Sequence, residues 1–206
     1  MATVNIMKAF ILATLAAACS LTAAATSSTS AEDLVKSTTD QVLETLADER
    51  EAIENSPDRL FEIVDEIVLP HFDFERMSRR VLGKAWKRAS PEQQSNFIKE
   101  FQTLLVRTYA TALKAYSDET IEFLPPREKE GGKETTIRTQ IVPSGSPPIP
   151  MNYEMYERDD GWKVFDVAID GVSLVINYRS TFRSEIRKNG VDGLIARLAK
   201  HNSERK

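Results

Sequence analysis

Apolar residues recur at helical spacing through the first half of the chain and alternate with polar ones through much of the second. Leu34, Val35, Val42, Leu43 and Leu46 predict a helix over Ala31–Arg50. Ser30 stands before it as a cap, with Asp33 three residues on. Asn55-Ser56-Pro57 interrupts, and Leu60, Phe61, Val64, Ile67 and Val68 predict a second helix over Asp58–Val68. After Pro70-His71-Phe72, a third helix is expected over Asp73–Arg88, carrying Phe74, Met77, Val81, Leu82 and Trp86. Ser90-Pro91-Glu92-Gln93 is a helix start with Pro at the first helical position. The helix it opens runs to about Tyr116, with one broad apolar stripe from Phe97 through Leu104, Leu105 and Tyr109.

The period then changes. Thr120–Leu124 predicts a short strand ended by Pro125-Pro126. Thr135–Val142 alternates, with Ile137 and Ile141 on one face, and the turn Glu130-Gly131-Gly132-Lys133 precedes it. Pro143–Pro150 reads as a connecting loop. Met151–Glu157 puts Met151, Tyr153 and Met155 on one face. Asp159-Asp160-Gly161 is a hairpin signal before the strand Trp162–Asp170. An Asp170-Gly171 turn leads to a second apolar run, Val172–Ile176. Two short helices follow, Tyr178–Lys188 and Val191–Lys200, separated by Asn189-Gly190. The order predicts an α+β fold, with N-terminal helices packed on a twisted antiparallel sheet.

Trp162–Ile169 is apolar on both expected faces: Phe165, Val167 and Ile169 on one, Trp162, Val164 and Ala168 on the other. A sheet with helices on one side normally alternates apolar and polar residues. A sheet buried twice explains the excess. The functional alternative is an interface left incompletely packed, which receives an apolar ligand opposite the Leu104–Tyr116 stripe.

The first 25 residues have the form of a secretory leader: Lys8, the apolar run Ala9–Ala18 and the small-residue site Ala23-Ala24-Ala25. The apolar run is too short to span a bilayer as a helix. Cleavage is expected after Ala25, which makes the protein periplasmic. Acylation at Cys19, the single cysteine, is the lesser alternative. Cleavage after Ala25 leaves no cysteine, so the core alone must hold the fold. The chain carries 27 basic and 31 acidic residues for a net charge of -4. No basic block invites nucleic acid, and an acidic surface gains little from anionic membranes, so stable membrane insertion is not expected. The remaining residues 26–206 suffice for one domain: a helical lobe over 31–116, a sheet over 120–176 and C-terminal helices over 177–201.

Catalytic patterns are sparse. His71 and His201 are the two histidines, and neither has a metal-ligand partner at suitable spacing. Gly171-Val172-Ser173-Leu174-Val175 begins like a nucleophile elbow but lacks its second glycine. Asp166 and Asp170 lie on one face of a strand, where a carboxylate pair could do acid–base work. A cap or a solvated strand edge accounts for them more simply.

The run Phe165-Asp166-Val167-Ala168-Ile169-Asp170-Gly171-Val172-Ser173-Leu174-Val175, with Asn177-Tyr178-Arg179 and Phe182, resembles the MlaC family, also called the toluene-tolerance auxiliary family. Asn189-Gly190-Val191-Asp192-Gly193-Leu194-Ile195 and Leu198 fit its C-terminal pattern. Phe72-Asp73-Phe74-Glu75-Arg76-Met77-Ser78, Val81-Leu82-Gly83-Lys84-Ala85-Trp86 and Ser90-Pro91-Glu92-Gln93 fit its middle. The resemblance spans Ala31 to Leu198. It implies an NTF2-like or cystatin-like sheet and helices enclosing a deep apolar cavity. It implies a monomeric carrier with no cofactor, whose cargo is a glycerophospholipid. The implied partners are an outer-membrane lipoprotein–porin complex and the MCE-domain subunit of an inner-membrane ABC transporter. Candidate lipid-contacting residues are Leu105, Tyr109 and Leu113 on the long helix, Met151 and Tyr153 on the third strand, and Phe165, Val167, Ile169, Val172 and Leu174 on the signature segment. Ordinary core packing is the alternative for each. Arg179 and Lys163 are candidates for phosphate at the mouth. The other functional classes are a periplasmic chaperone or adaptor with an exposed apolar groove, and an enzyme on an NTF2-like scaffold using Asp166 and Asp170.

Overall fold

The computed structural model describes residues 29–114, 119–128 and 132–204. The leader, Cys19, Tyr116 and the Glu130-Gly131 part of the predicted turn lie outside the described residues. No helix among the described residues is long and apolar enough to cross a membrane.

Helix α1 (Ala31–Asp48) opens where Ser30 accepts a hydrogen bond from the backbone N–H of Asp33. Two short helices follow, α2 (Arg50–Asn55) and α3 (Pro57–Ile63). The expected second helix does not stay α-helical. It widens into a π turn over Val64–Val68 and tightens into a 3-10 turn over Leu69–His71, where Pro70 lacks the N–H an α-helix needs. Helix α4 (Phe74–Leu82) is capped by Asp73, whose carboxylate accepts from the backbone N–H of Arg76 at 2.7 Å. It also stops short of the predicted Arg88. Gly83 takes φ 55°, ψ −118°, which breaks the α ladder, and the chain continues as a 3-10 helix to Arg88. Helix α5 (Pro91–Lys114) starts in a reciprocal capping box: Gln93 N–H donates to Ser90 Oγ at 3.1 Å and Ser90 N–H to Gln93 Oε1 at 2.9 Å.

Five strands form one antiparallel sheet in the order β1-β2-β3-β4-β5. They are β1 (Thr120–Glu128), β2 (Glu134–Val142), β3 (Ile149–Arg158), β4 (Gly161–Ile169) and β5 (Val172–Ser173). Strand β1 does not end at Pro125-Pro126. It is an edge strand, and a register shift between Leu124 and Arg127 takes both prolines out of the ladder. Likewise β3 begins at Ile149, earlier than expected. The run Val172–Ile176 is not a strand throughout. Only Val172 and Ser173 pair with β4, and Leu174 begins helix α6 (Leu174–Glu204). Gly190, at φ 70° and ψ −170°, leaves the helical conformation and divides α6 into two helical segments, where the sequence predicted a break.

A bulge in β4 decides the faces of the sheet. Glu154 pairs with Asp166 and Met155 with Val164, so Phe165 is the extra residue. One inserted residue reverses the alternation on either side of it. Trp162 and Val164 therefore share a face with Val167 and Ile169, and Phe165 leaves it. The reading that grouped Phe165 with Val167 and Ile169 is corrected by this shift. Met151, Tyr153 and Met155 lie opposite Ile169, Val167 and Val164, while Thr139 and Ile137 lie opposite Met151 and Tyr153. This face is apolar. The other carries Thr136, Glu154 and Asp166, with Thr136 Oγ1 donating to Glu154 at 2.8 Å.

Two separate cores result. The larger joins Val35, Met77, Trp86, Phe97, Phe101, Leu105, Ile137, Met155, Val167 and Phe182. Rings of α5 and α6 lock there: Phe101 meets Tyr178 at 5.4 Å and Phe182 at 6.2 Å, both edge-on. The smaller core lies among α1, α2, α3 and the end of α5, with Val42, Ile53, Leu60, Ile63 and Ala110. Asn202 ties the end of α6 to α5 by donating to the Glu100 carbonyl at 2.9 Å.

Candidate ligand-binding face

The apolar sheet face is closed at one end and open at the other. Met155 and Ile137 are sealed, at 0% and 2% exposure. Toward the start of β3, Met151, Tyr153 and Ile169 keep part of their surface accessible while packing against the larger core. Leu105 and Tyr109 of α5, and Phe123 of β1, adjoin the same core. At the outer limit Ile149 and Val172 are exposed, as is Ile176 in the first turn of α6. Ile169 pairs with both Met151 and Val172, so exposed and half-buried apolar residues form one continuous row.

Tyr153 gives the depth of this face. Burial pushes its hydroxyl up to about 12, opposed in part by Thr139. The phenol hydroxyl donates to the sulfur of Met151 at 2.8 Å, and Thr139 Oγ1 is engaged with the Met151 carbonyl at 3.1 Å.

The remaining candidates scatter. Val167 and Leu174 are core residues. Leu113 packs against the smaller core, which takes the C-terminal end of α5 with Val106 and Ala110. Val172 is 55% exposed on the rim. Phe165 is fully buried outside the larger core. Arg76 and Arg80, one turn apart on α4, stack on its ring at 4.0 and 4.4 Å, and Tyr156 meets it edge-on. Arg179 packs over Gly83, and Lys163 donates to the Pro70 carbonyl at 2.9 Å. The structure does not bring these two cations together at the open end. Thr139 and Phe123 are neighbours of the site that periodicity did not single out. Thr139 has the parity of Ile137, which was its available signal.

A second concavity, a groove of about 720 Å³, opens near the β3–β4 turn. Leu34, His71, Arg158, Asp160, Trp162 and Lys163 line it. It carries both signs of charge and is not the apolar cavity that the resemblance implied. His71 is held below its ordinary pKa there, first by burial and then by Lys163.

Of the acid–base candidates, Asp166 serves the fold, and Asp170 lies in the turn at φ 50° with its N–H donating to the Pro150 carbonyl. Asp166 is buried, accepting from Ser173 Oγ at 2.5 Å and from the Val175 N–H at 3.1 Å, while Ser173 Oγ accepts from the Ile176 N–H. Together they cap α6. Among the described residues no cluster of His, Cys, Asp and Glu could hold a metal ion.

An antiparallel sheet under a helical cover, with one apolar face open at one end, places the protein among α+β domains of the helix-on-sheet type. The chain belongs to the MlaC family: the family's sequence model, described as MlaC protein, matches residues 36–200. It is 26% identical over 204 residues to the toluene tolerance protein ttg2D of Pseudomonas putida, covering 96% of this chain and 93% of that protein. It is 28% identical over 187 residues to the intermembrane phospholipid transport system binding protein MlaC of Haemophilus influenzae, covering 89% and 87%. The phospholipid-binding protein of Ralstonia solanacearum, solved with a phospholipid bound, has the same fold. Its TM-score is 0.79 at 31% identity, over 85% of this chain and 98% of that one.

Proposed function

We propose that this protein is a periplasmic carrier of glycerophospholipid. It takes the acyl chains onto the face marked by Tyr153, Met151 and Ile169 and leaves the head group at the Ile149–Val172 rim. The observation that carries this reading is the half-buried apolar face of Met151, Tyr153 and Ile169, continuous with exposed Ile149 and Val172. The relatives named for phospholipid binding and transport support it.

Enclosure is what the task demands. Each buried methylene is worth ~0.8 kcal/mol, so exposing two acyl chains would cost on the order of 20 kcal/mol. The helical cover must therefore yield enough to admit the chains between sheet and α5. The route we infer runs between an outer-membrane lipoprotein–porin complex and an inner-membrane ABC transporter with an MCE-domain subunit, and it maintains outer-membrane lipid asymmetry. No catalytic step is needed on it.

Native mass spectrometry of protein purified gently from cells tests the reading. Co-purified diacyl phospholipid is expected. Protein that is uniformly ligand-free, and that takes up no lipid from vesicles, would overturn it.

A further inference from the structure

We infer that the Tyr153 hydroxyl is a polar anchor within the apolar face and that it selects ester-linked lipids by donating to an acyl ester carbonyl. The inference rests on the carrier reading above.

The hydroxyl is an under-used donor. Its partner is a thioether sulfur, a weak acceptor, at 2.8 Å. The neighbouring Thr139 hydroxyl, which also interacts with the phenol, gives its own proton to the Met151 carbonyl. Buried phenols normally find a full hydrogen-bond partner, because leaving one poorly satisfied costs free energy. Around Tyr153 the residues at paired positions are Ile137 and Val167, which offer no side-chain acceptor.

Its depth suits one part of a phospholipid. The side chain reaches back to the Met151 sulfur, so the hydroxyl lies at the level of Met151. That is two residues inward from exposed Ile149, about 7 Å along the strand. A phosphate held at the rim by water places the glycerol esters just inside it, and the methylenes beyond. Only the ester carbonyl is then both within the apolar space and able to accept. A neutral hydrogen bond made there replaces a bond to sulfur rather than one to water. Ether-linked lipids share the same chains and head group but have no carbonyl to offer.

Competition between matched ester-linked and ether-linked phosphatidylethanolamines, read by displacement of a fluorescent phospholipid from the delipidated protein, tests this. The wild type is expected to prefer the ester by about three- to tenfold, what one net hydrogen bond supplies. Tyr153→Phe is expected to bring the ratio to one. Met151→Leu removes the competing sulfur and is expected to raise the ratio. A wild-type ratio of one overturns the inference while leaving the carrier reading intact, whether or not the Phe variant folds. An unchanged ratio in folded Tyr153→Phe overturns it as well. Failure to bind either lipid overturns both readings.

Discussion

Ser173 donates its hydroxyl to Asp166 at 2.5 Å, and each of the two residues accepts from one free N–H group at the start of α6. Asp166 takes the N–H of Val175 and Ser173 that of Ile176. The last paired stretch of the sheet is thereby fixed to the first turn of α6. Asp166 is buried, so removing its carboxylate leaves a hydroxyl and an amide without their acceptor. Asp166→Ala is expected to cost about 2 kcal/mol, the range for charge-assisted bonds and helix caps. Urea denaturation measures it. A variant as stable as the parent would mean that water takes over the cap.

Phe165 and Ile169 are four residues apart in the signature segment and lie in different surroundings. Phe165 is buried beneath Arg76 and Arg80, outside the larger core. Phe165→Ala is expected to cost about 3–5 kcal/mol in stability, as large-to-small changes at buried aromatics do. Lipid occupancy of the protein that remains folded should be kept. Ile169→Asp is expected to do the reverse. The site is half-buried, so the carboxylate can reach water in the empty protein, while acyl chains would have to cover it. Thermal melts and lipid analysis of both purified variants decide the matter. Equal lipid loss in the two would remove the distinction.

That separation also shows what periodicity could and could not convey. The helical first half and the strands β2 to β4 follow from apolar spacing, since each element buries one stripe. The bulge does not follow. Nothing in Val164-Phe165-Asp166 says that Phe165 is extra until Met155 and Glu154 are set opposite, and that one residue moves Trp162 and Val164 across the sheet. Helix α6 begins at Leu174 because Asp166, seven residues before Ser173, reaches its cap; a local window sees only an apolar run. Leu113 likewise looked continuous with Leu105 and Tyr109 on one stripe. The second core that claims it is built by Ile53, Leu60 and Ile63, distant in sequence. Met151 and Tyr153 were legible as residues of the apolar face because their alternation is regular and their partners across β4, Ile169 and Val167, are apolar.

Gly83 has φ 55° and ψ −118°, and an added Cβ would sit 3.4 Å from the Arg179 guanidinium. The backbone conformation is strained for any L side chain, whatever the space. Gly83→Ala is expected to destabilise by about 1–3 kcal/mol. Arg179→Ala in the same protein separates the causes. If the strain lies in the backbone, the double variant stays as unstable as the additive expectation. Recovery of stability in the double variant would assign the cost to the guanidinium instead.

His71 makes stability depend on pH in the mildly acidic range. Burial, and then the charge of Lys163, hold its folded-state pKa below the ordinary 6.5. The unfolded chain therefore takes up the proton first as the pH falls. The stabilisation is fully present above pH 6.5 and declines as the pH drops from there toward the folded value. Arg158 and Lys163 share the groove and are cationic throughout this range, so neither reverses the sign. Asp160 also lines it, and its carboxylate bridges to both Arg158 and Lys163. His71→Gln is expected to flatten the decline between pH 7.5 and 5.5 in urea titrations. A Gln variant that loses as much stability as the parent over that interval would place the titrating group elsewhere.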